Sequence, residues 1–176
     1  MSKKTKHSDS KVEMPNPKVR VAAEKGSPQN KLREELYTGA FQRIKDAYDK
    51  GFYIECVTIL DSMITDRLES YVQYLLHHDD KQFATSTIFH ALKSLGSATK
   101  EKGVRDEEFK VIEQKIIAWS NKRNHSVHNF VIVMPSTIQD SIETRIDNLK
   151  DTADEGLKLV REVMAYTSTR TNLPVK

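Results

Sequence analysis

The stretch STIQDSIETRIDNLKDTADEGLKLVREVMAY, residues 136–166, decides the fold class. Its apolar side chains Ile138, Ile142, Ile146, Leu149, Ala153, Leu157, Val160 and Met164 recur at intervals of 4-4-3-4-4-3-4. That is the repeat of one stripe on a 3.6-residue helix and not the alternation of a strand. Ser136-x-x-Gln139 resembles a capping box, so a long last helix is predicted from there to about Tyr166.

The same period appears upstream. Leu32, Leu36, Ala40, Ile44 and Ala47 predict a first helix over about 31–50, ended by Gly51. Tyr53, Val57, Leu60, Ile64, Arg67 or Leu68, Tyr71 and Leu75 predict a second over about 52–77, its stripe widened by Ile59, Met63 and Val72 as in a helix lying between others. A short helix over about 86–95 carries Ile88, Ala91, Leu92 and Leu95, with Gly96 as its C-cap and a polar loop to Arg105. A fourth starts near Asp106 and turns Phe109, Ile112, Ile116 and Trp119 inward. Phe130 to Met134 reads as a short extended piece before Pro135. With no hairpin chemistry, the expected fold is all-α, a four- or five-helix up-and-down bundle.

Composition sets the frame. The 176 residues suffice for one domain with a sizeable core, and no apolar run approaches the ~20 residues that span a bilayer. Seven Lys/Arg against three Asp/Glu in residues 1–30 leave 21 against 22 in the rest. The reading is a disordered basic N-terminal arm (1–30), a near-neutral helical domain (31–167) and a flexible tail (168–176). The polar N-terminus does not read as a secretory signal, and the lone Cys56, among Ile54 and Val57, reads as a core thiol. A cytoplasmic location follows as the expectation. Walker-type loops, G-x-S-x-G elbows and H-E-x-x-H pairs are missing from the sequence. His125 and His128 lack the carboxylate or Cys spacing that would complete a zinc site, so no metal and no cofactor are expected.

The chemistry concentrates in Asn121-Lys-Arg-Asn-His-Ser-Val-His128. Guanidinium matches phosphate oxygens with a planar fork, and imidazole exchanges protons near neutrality. An Arg followed at once by Asn and four further on by His is expected by chance about once in a hundred chains of this composition. On a continuous helix five residues turn through 500°, so Arg123 and His128 would point about 140° apart. The two groups meet only if the helix ends inside the motif or if two chains assemble the site. Asn129 tolerates the left-handed conformation that ends helices, which favours a break.

Arg123, Asn124 and His128 resemble the Arg-x4-6-His motif of the HEPN superfamily, as does the motif's place before a final long helix. The resemblance implies a metal-independent endoribonuclease, a toxin or phage-defence effector, cutting single-stranded RNA to a 2′,3′-cyclic phosphate. Arg123 and His128 would be catalytic at a homodimer interface: His128 for proton transfer and Arg123 for phosphate charge. Asn124, His125 and Ser126 would support them. A polar residue on the early second helix is also implied, with Glu55 placed first and Asp61 second. Lys115 and Lys122 would add RNA contacts. Expected partners are RNA, a second copy and an antitoxin or nucleotidyltransferase. The competing expectation is a non-catalytic HEPN-like helical module that binds RNA, a nucleotide or a partner protein; a third is a helical adaptor pairing through the last helix.

Overall fold

A computed structural model describes residues 28–76, 87–104, 106–132 and 141–171. Among them are five α-helices and no strand: α1 (Pro28–Asp49), α2 (Tyr53–Leu76), α3 (Ile88–Glu101), α4 (Glu107–His128) and α5 (Ile142–Thr171). The chain is therefore an all-α bundle. Residues 1–27, the Ser136-x-x-Gln139 box and residues 172–176 lie outside the described residues.

Helix α2 is the hub. It has the widest apolar face, with Cys56, Val57, Leu60, Met63, Ile64, Leu68, Tyr71, Val72 and Leu75 all buried, and it touches each of the other four helices. Burying each large side chain contributes about 1.5–3 kcal/mol, so this helix organises the core. Tyr37 bonded to Asp66, and Arg43 to Glu55, set α1 antiparallel to α2. Leu60 beside Gly156, and Tyr71 edge-on to Tyr166 at 5.9 Å, set α5 parallel to it. Cys56 is buried and donates its thiol to the Ile44 carbonyl at 3.4 Å, and burial pushes that thiol's pKa up.

The position of α4 matters most for the site. Its Phe109, Ile112, Ile116 and Trp119 are buried as the period predicts. Trp119 donates Nε1–H to the Thr152 carbonyl at 2.8 Å and fills the space that a side chain at residue 156 would need. A Cβ added to Gly156 would lie 2.8 and 2.9 Å from two carbons of the indole. Lys115 to Glu162 at 2.7 Å and Lys122 to Glu155 at 2.6 Å continue the antiparallel register of α4 on α5.

Several boundaries differ from the sequence reading. α1 begins at Pro28, three residues into the expected arm, and Leu32 and Leu36 are exposed while Ile44 and Ala47 are buried. Proline is well suited to a first helical turn, where its missing N–H costs nothing. α3 runs through Gly96 to Glu101; Ala98 and Thr99 extend its buried face, and Thr99 satisfies its hydroxyl on the Leu95 carbonyl at 2.8 Å. The glycine that ends it is Gly103, at φ +65°, a left-handed conformation that glycine adopts without strain. Phe130 and Val131 form a turn and not an extended piece.

On α5, Ile142 and Ile146 are exposed, and Ile138 lies outside the described residues. The buried face is instead Leu149, Thr152, Ala153, Gly156, Leu159, Val160, Val163, Tyr166 and Thr167. Leu157 and Met164 are only partly buried because they line an open groove of about 710 Å³ against Phe41, Ile44 and Tyr48 of α1. Burial and a hydrogen bond to Asp154 push Tyr48 up to about 12 there.

The expected tail begins too early, since Ser168–Thr171 are helical. Arg170 anchors them: it lies 3.7 Å over the Tyr166 ring, bonds Asp106 and reaches Glu108 at 2.8 Å. Asp106 also caps α4, accepting from the Phe109 amide at 2.7 Å. Burial would raise the Asp106 pKa, but the hydrogen bonds from Arg170 and the Phe109 amide outweigh it and hold the carboxyl below the usual aspartate range.

A group held lower when folded than unfolded stabilises fully above its unfolded pKa of about 4 and loses that contribution as pH falls through the depressed value. Asp106→Asn keeps a cap acceptor without the charge. It should therefore be less stable than wild type near pH 7 and converge with it in acid. Urea midpoints whose gap stays constant from about pH 7 down to about pH 2 would contradict this.

Candidate functional site

The motif occupies the last two turns of α4. The helix is continuous through it and ends at His128, with Asn129 as C-cap at φ −77°, ψ −4°. The expected break inside the motif does not occur, and Asn129 is right-handed. Its N–H bonds the His125 carbonyl at 2.9 Å and the Phe130 amide bonds Val127 at 3.4 Å, so the last turn closes on ordinary helical bonds. Arg123 and His128 consequently diverge by about 140° along one rod, with about 7.5 Å of rise between them.

Arg123 points back toward the bundle. Its Nη2 bonds Oδ1 of Asp61 on α2, and its Nη1 donates to Oδ1 of Asn124 at 2.6 Å. The pair is three-quarters buried, with side-chain exposures of 24% for Arg123 and 26% for Asp61. Nε of Arg123 is buried with no hydrogen-bond partner. Each Nη carries two hydrogens, so one on each remains after these bonds are made. The guanidinium is thus fixed in place by a carboxylate and an amide.

Asp61 and not Glu55 is the acidic neighbour on α2. Glu55 sits six residues earlier, on a different face, and pairs with Arg43 of α1 at 2.5 and 3.1 Å. His128 is exposed at the end of α4. His125 is exposed too, with Asn129 Nδ2 2.9 Å from its ring nitrogens. Ser126 is buried and faces α5, 3.0 Å from Thr152 Oγ1. Thr152 gives its own proton to the Asn148 carbonyl, so Ser126 is the donor, and the pair ties the two helices together. Lys115 and Lys122 have their charges matched by Glu162 and Glu155.

The structure therefore brings Arg123, Asn124 and Asp61 together, places His128 apart from them at the helix end, and assigns Ser126 to helix packing. Among the described residues no group of three or more His, Cys, Asp or Glu converges as a metal site requires. No helix among them is long and apolar enough to cross a membrane.

The sequence reading missed Arg145. From the start of α5, whose first turn is capped by Ser141 accepting from the Thr144 amide at 3.2 Å, it reaches the carbonyls that follow His128. Nothing in its spacing marked it, because a bond between a guanidinium and backbone carbonyls leaves no residue-type signature at the acceptor. Around it Val131, Ile132, Ile142 and Ile146 are exposed, with Val131 at 80%.

Comparison with protein families, with curated proteins and with solved structures finds no match to this chain.

Proposed function

We propose that this chain is a metal-independent endoribonuclease of the HEPN type, a toxin or phage-defence effector whose site is completed by two copies. The observation that carries the reading is the placement of Arg123 and His128 on one uninterrupted helix: Arg123 is preorganised by Asp61 and Asn124, and His128 is free at the helix end. A single chain cannot turn both toward one phosphate, whereas two chains meeting at the α4 ends can. Exposed Val131, Ile132, Ile142 and Ile146 around that end offer an apolar surface for the second chain to cover.

In such a site one His128 accepts the 2′-hydroxyl proton as that oxygen attacks phosphorus. The imidazolium so formed then donates that proton to the departing 5′-oxygen, leaving a 2′,3′-cyclic phosphate and a 5′-hydroxyl. Arg123 neutralises the charge that builds on the phosphorane oxygens.

A non-catalytic helical module that binds RNA, a nucleotide or a partner protein is the second reading. The charge compensation of Lys115, Lys122 and Arg123 by Glu162, Glu155 and Asp61 favours it. Incubating the purified chain with single-stranded RNA in EDTA separates the two. The ribonuclease reading expects cyclic-phosphate products, and salt-dependent binding with intact RNA would select the module.

A further inference from the structure

Arg145 stands seventeen positions after His128 in the sequence and on another helix, yet a single nitrogen of its guanidinium serves three carbonyls that follow the motif. Nη1 bonds the Asn129 oxygen and lies 3.2 Å from that of Ile132 and 3.4 Å from that of Phe130. Asn129 is the C-cap, so its carbonyl is one of those that the helix itself leaves without an amide partner at the negative end of its dipole, while the carbonyls of Phe130 and Ile132 belong to the chain just beyond. A cation inserted among them supplies donors and charge together.

The chain leaves α4 through a turn with two exposed apolar residues, Val131 and Ile132. These carbonyl contacts tie residues 129–132 to the first turns of α5. Ser126–Thr152 secures the helix itself half a turn earlier.

We infer that Arg145 is the positioning residue of this site: from α5 it fixes the exit of α4 and thereby the place of the His128 imidazole. Only the catalytic consequence rests on the ribonuclease reading; the positioning stands on the geometry. Because one nitrogen makes all three contacts, an ammonium with three N–H groups can replace it. A guanidinium that gripped phosphate with its planar fork could not be replaced in that way. Lysine should therefore serve at 145, and methionine, which keeps an apolar stem without a donor, should not.

The test compares full-length wild type with Arg145→Lys and Arg145→Met. Amide exchange and the His128 ring resonances are read by NMR, and cleavage of a single-stranded RNA is read in EDTA. Arg145→Met should speed exchange across residues 125–132 by about ten-fold while residues 109–119 keep wild-type rates, and should shift the His128 ring signals. It should lower kcat by about ten-fold with KM nearly unchanged, since the group displaced acts in the chemical step. Arg145→Lys should stay close to wild type in every readout.

Wild-type exchange and ring signals in Arg145→Met would overturn the inference, as would Arg145→Lys as impaired as Arg145→Met. A wild type that cleaves no RNA would count against the ribonuclease reading alone, and the NMR comparison would still decide the role of Arg145.

Discussion

His128→Ala should lower RNA cleavage by about 10²–10⁴-fold, the usual weight of a general acid or base, while leaving the fold untouched. The side chain is exposed at the end of α4 and makes no hydrogen bond or ion pair among the described residues, so its removal costs the bundle little. Arg123→Ala should lower cleavage by about 10²–10³-fold, as the loss of charge stabilisation does elsewhere. It also strips Asp61 of its partner in a setting that is three-quarters buried.

The Arg123 variant therefore needs a control. Asp61→Asn combined with Arg123→Ala removes the orphaned charge, restoring stability without restoring activity. Thermal melts and cleavage rates of the four proteins check this. Undiminished cleavage by both His128→Ala and Arg123→Ala would remove these residues from the mechanism, and loss of activity that tracks loss of fold would reduce Arg123 to a structural ion pair.

The second large effect concerns the joint that holds α4 on α5. Trp119 cannot swing aside to accept a side chain at 156, because its Nε1–H is committed to the Thr152 carbonyl and Leu60 Cδ1 closes the other side at 3.0 Å from an added Cβ. For alanine, the overpacking cost of about 1–3 kcal/mol is partly offset by about 1 kcal/mol of helix propensity gained over glycine. Valine enjoys less of that offset and brings two further methyl groups to the indole. Gly156→Val should destabilise by about 3 kcal/mol and lower Tm by roughly 6–12 °C, with Gly156→Ala closer to 1 kcal/mol. A paired Trp119→Phe should recover part of the loss in Gly156→Val, since a smaller ring makes room. Calorimetry on the three variants measures this, and Gly156→Val melting within a degree of wild type would show that α5 can shift away freely.

The two effects are linked through α4. The notch at Gly156 sets the helix against α5 one turn before Arg123, the Ser126–Thr152 bond holds it within the motif, and Arg145 catches its exit. A variant that loosens the notch should thus lose activity in proportion to the displacement of Arg123 from Asp61.

The apolar period made most of this architecture legible. The inward residues of α2 and α4 follow it without exception at Leu60, Ile64, Leu68, Ile112, Ile116 and Trp119. It failed where polar atoms satisfy themselves locally or where the partner surface is incomplete. Thr99 looked like loop because its hydroxyl bond to Leu95 is invisible in a residue list, so α3 was read six residues short. Ile142 and Ile146 looked like core because spacing says which side chains share a face and not whether anything covers that face.

At the site, Arg123, Asn124 and His128 were legible as residue types at a telling spacing. The partner of Arg123 was not: Glu55 and Asp61 are both acids on α2, and only the crossing of α2 with α4 decides between them in favour of Asp61. The left-handed conformation expected at Asn129 is not adopted: the helix ends there in a right-handed C-cap, closed by the bonds of the Asn129 amide to His125 and of the Phe130 amide to Val127.

On a continuous α4, Arg123 and His128 can reach the same phosphate only from different copies of the chain. Arg123→Ala and His128→Ala, each inactive alone, can be mixed in equal amounts, dissociated and reassociated. Random pairing makes about half of the dimers mixed, and each mixed dimer holds one intact Arg123 and one intact His128 on opposite chains. The measurement is the RNA cleavage rate of that mixture against the two separate variants. Cleavage should return on mixing; a mixture that forms dimers yet stays as inactive as its components would rule out a site shared between two chains.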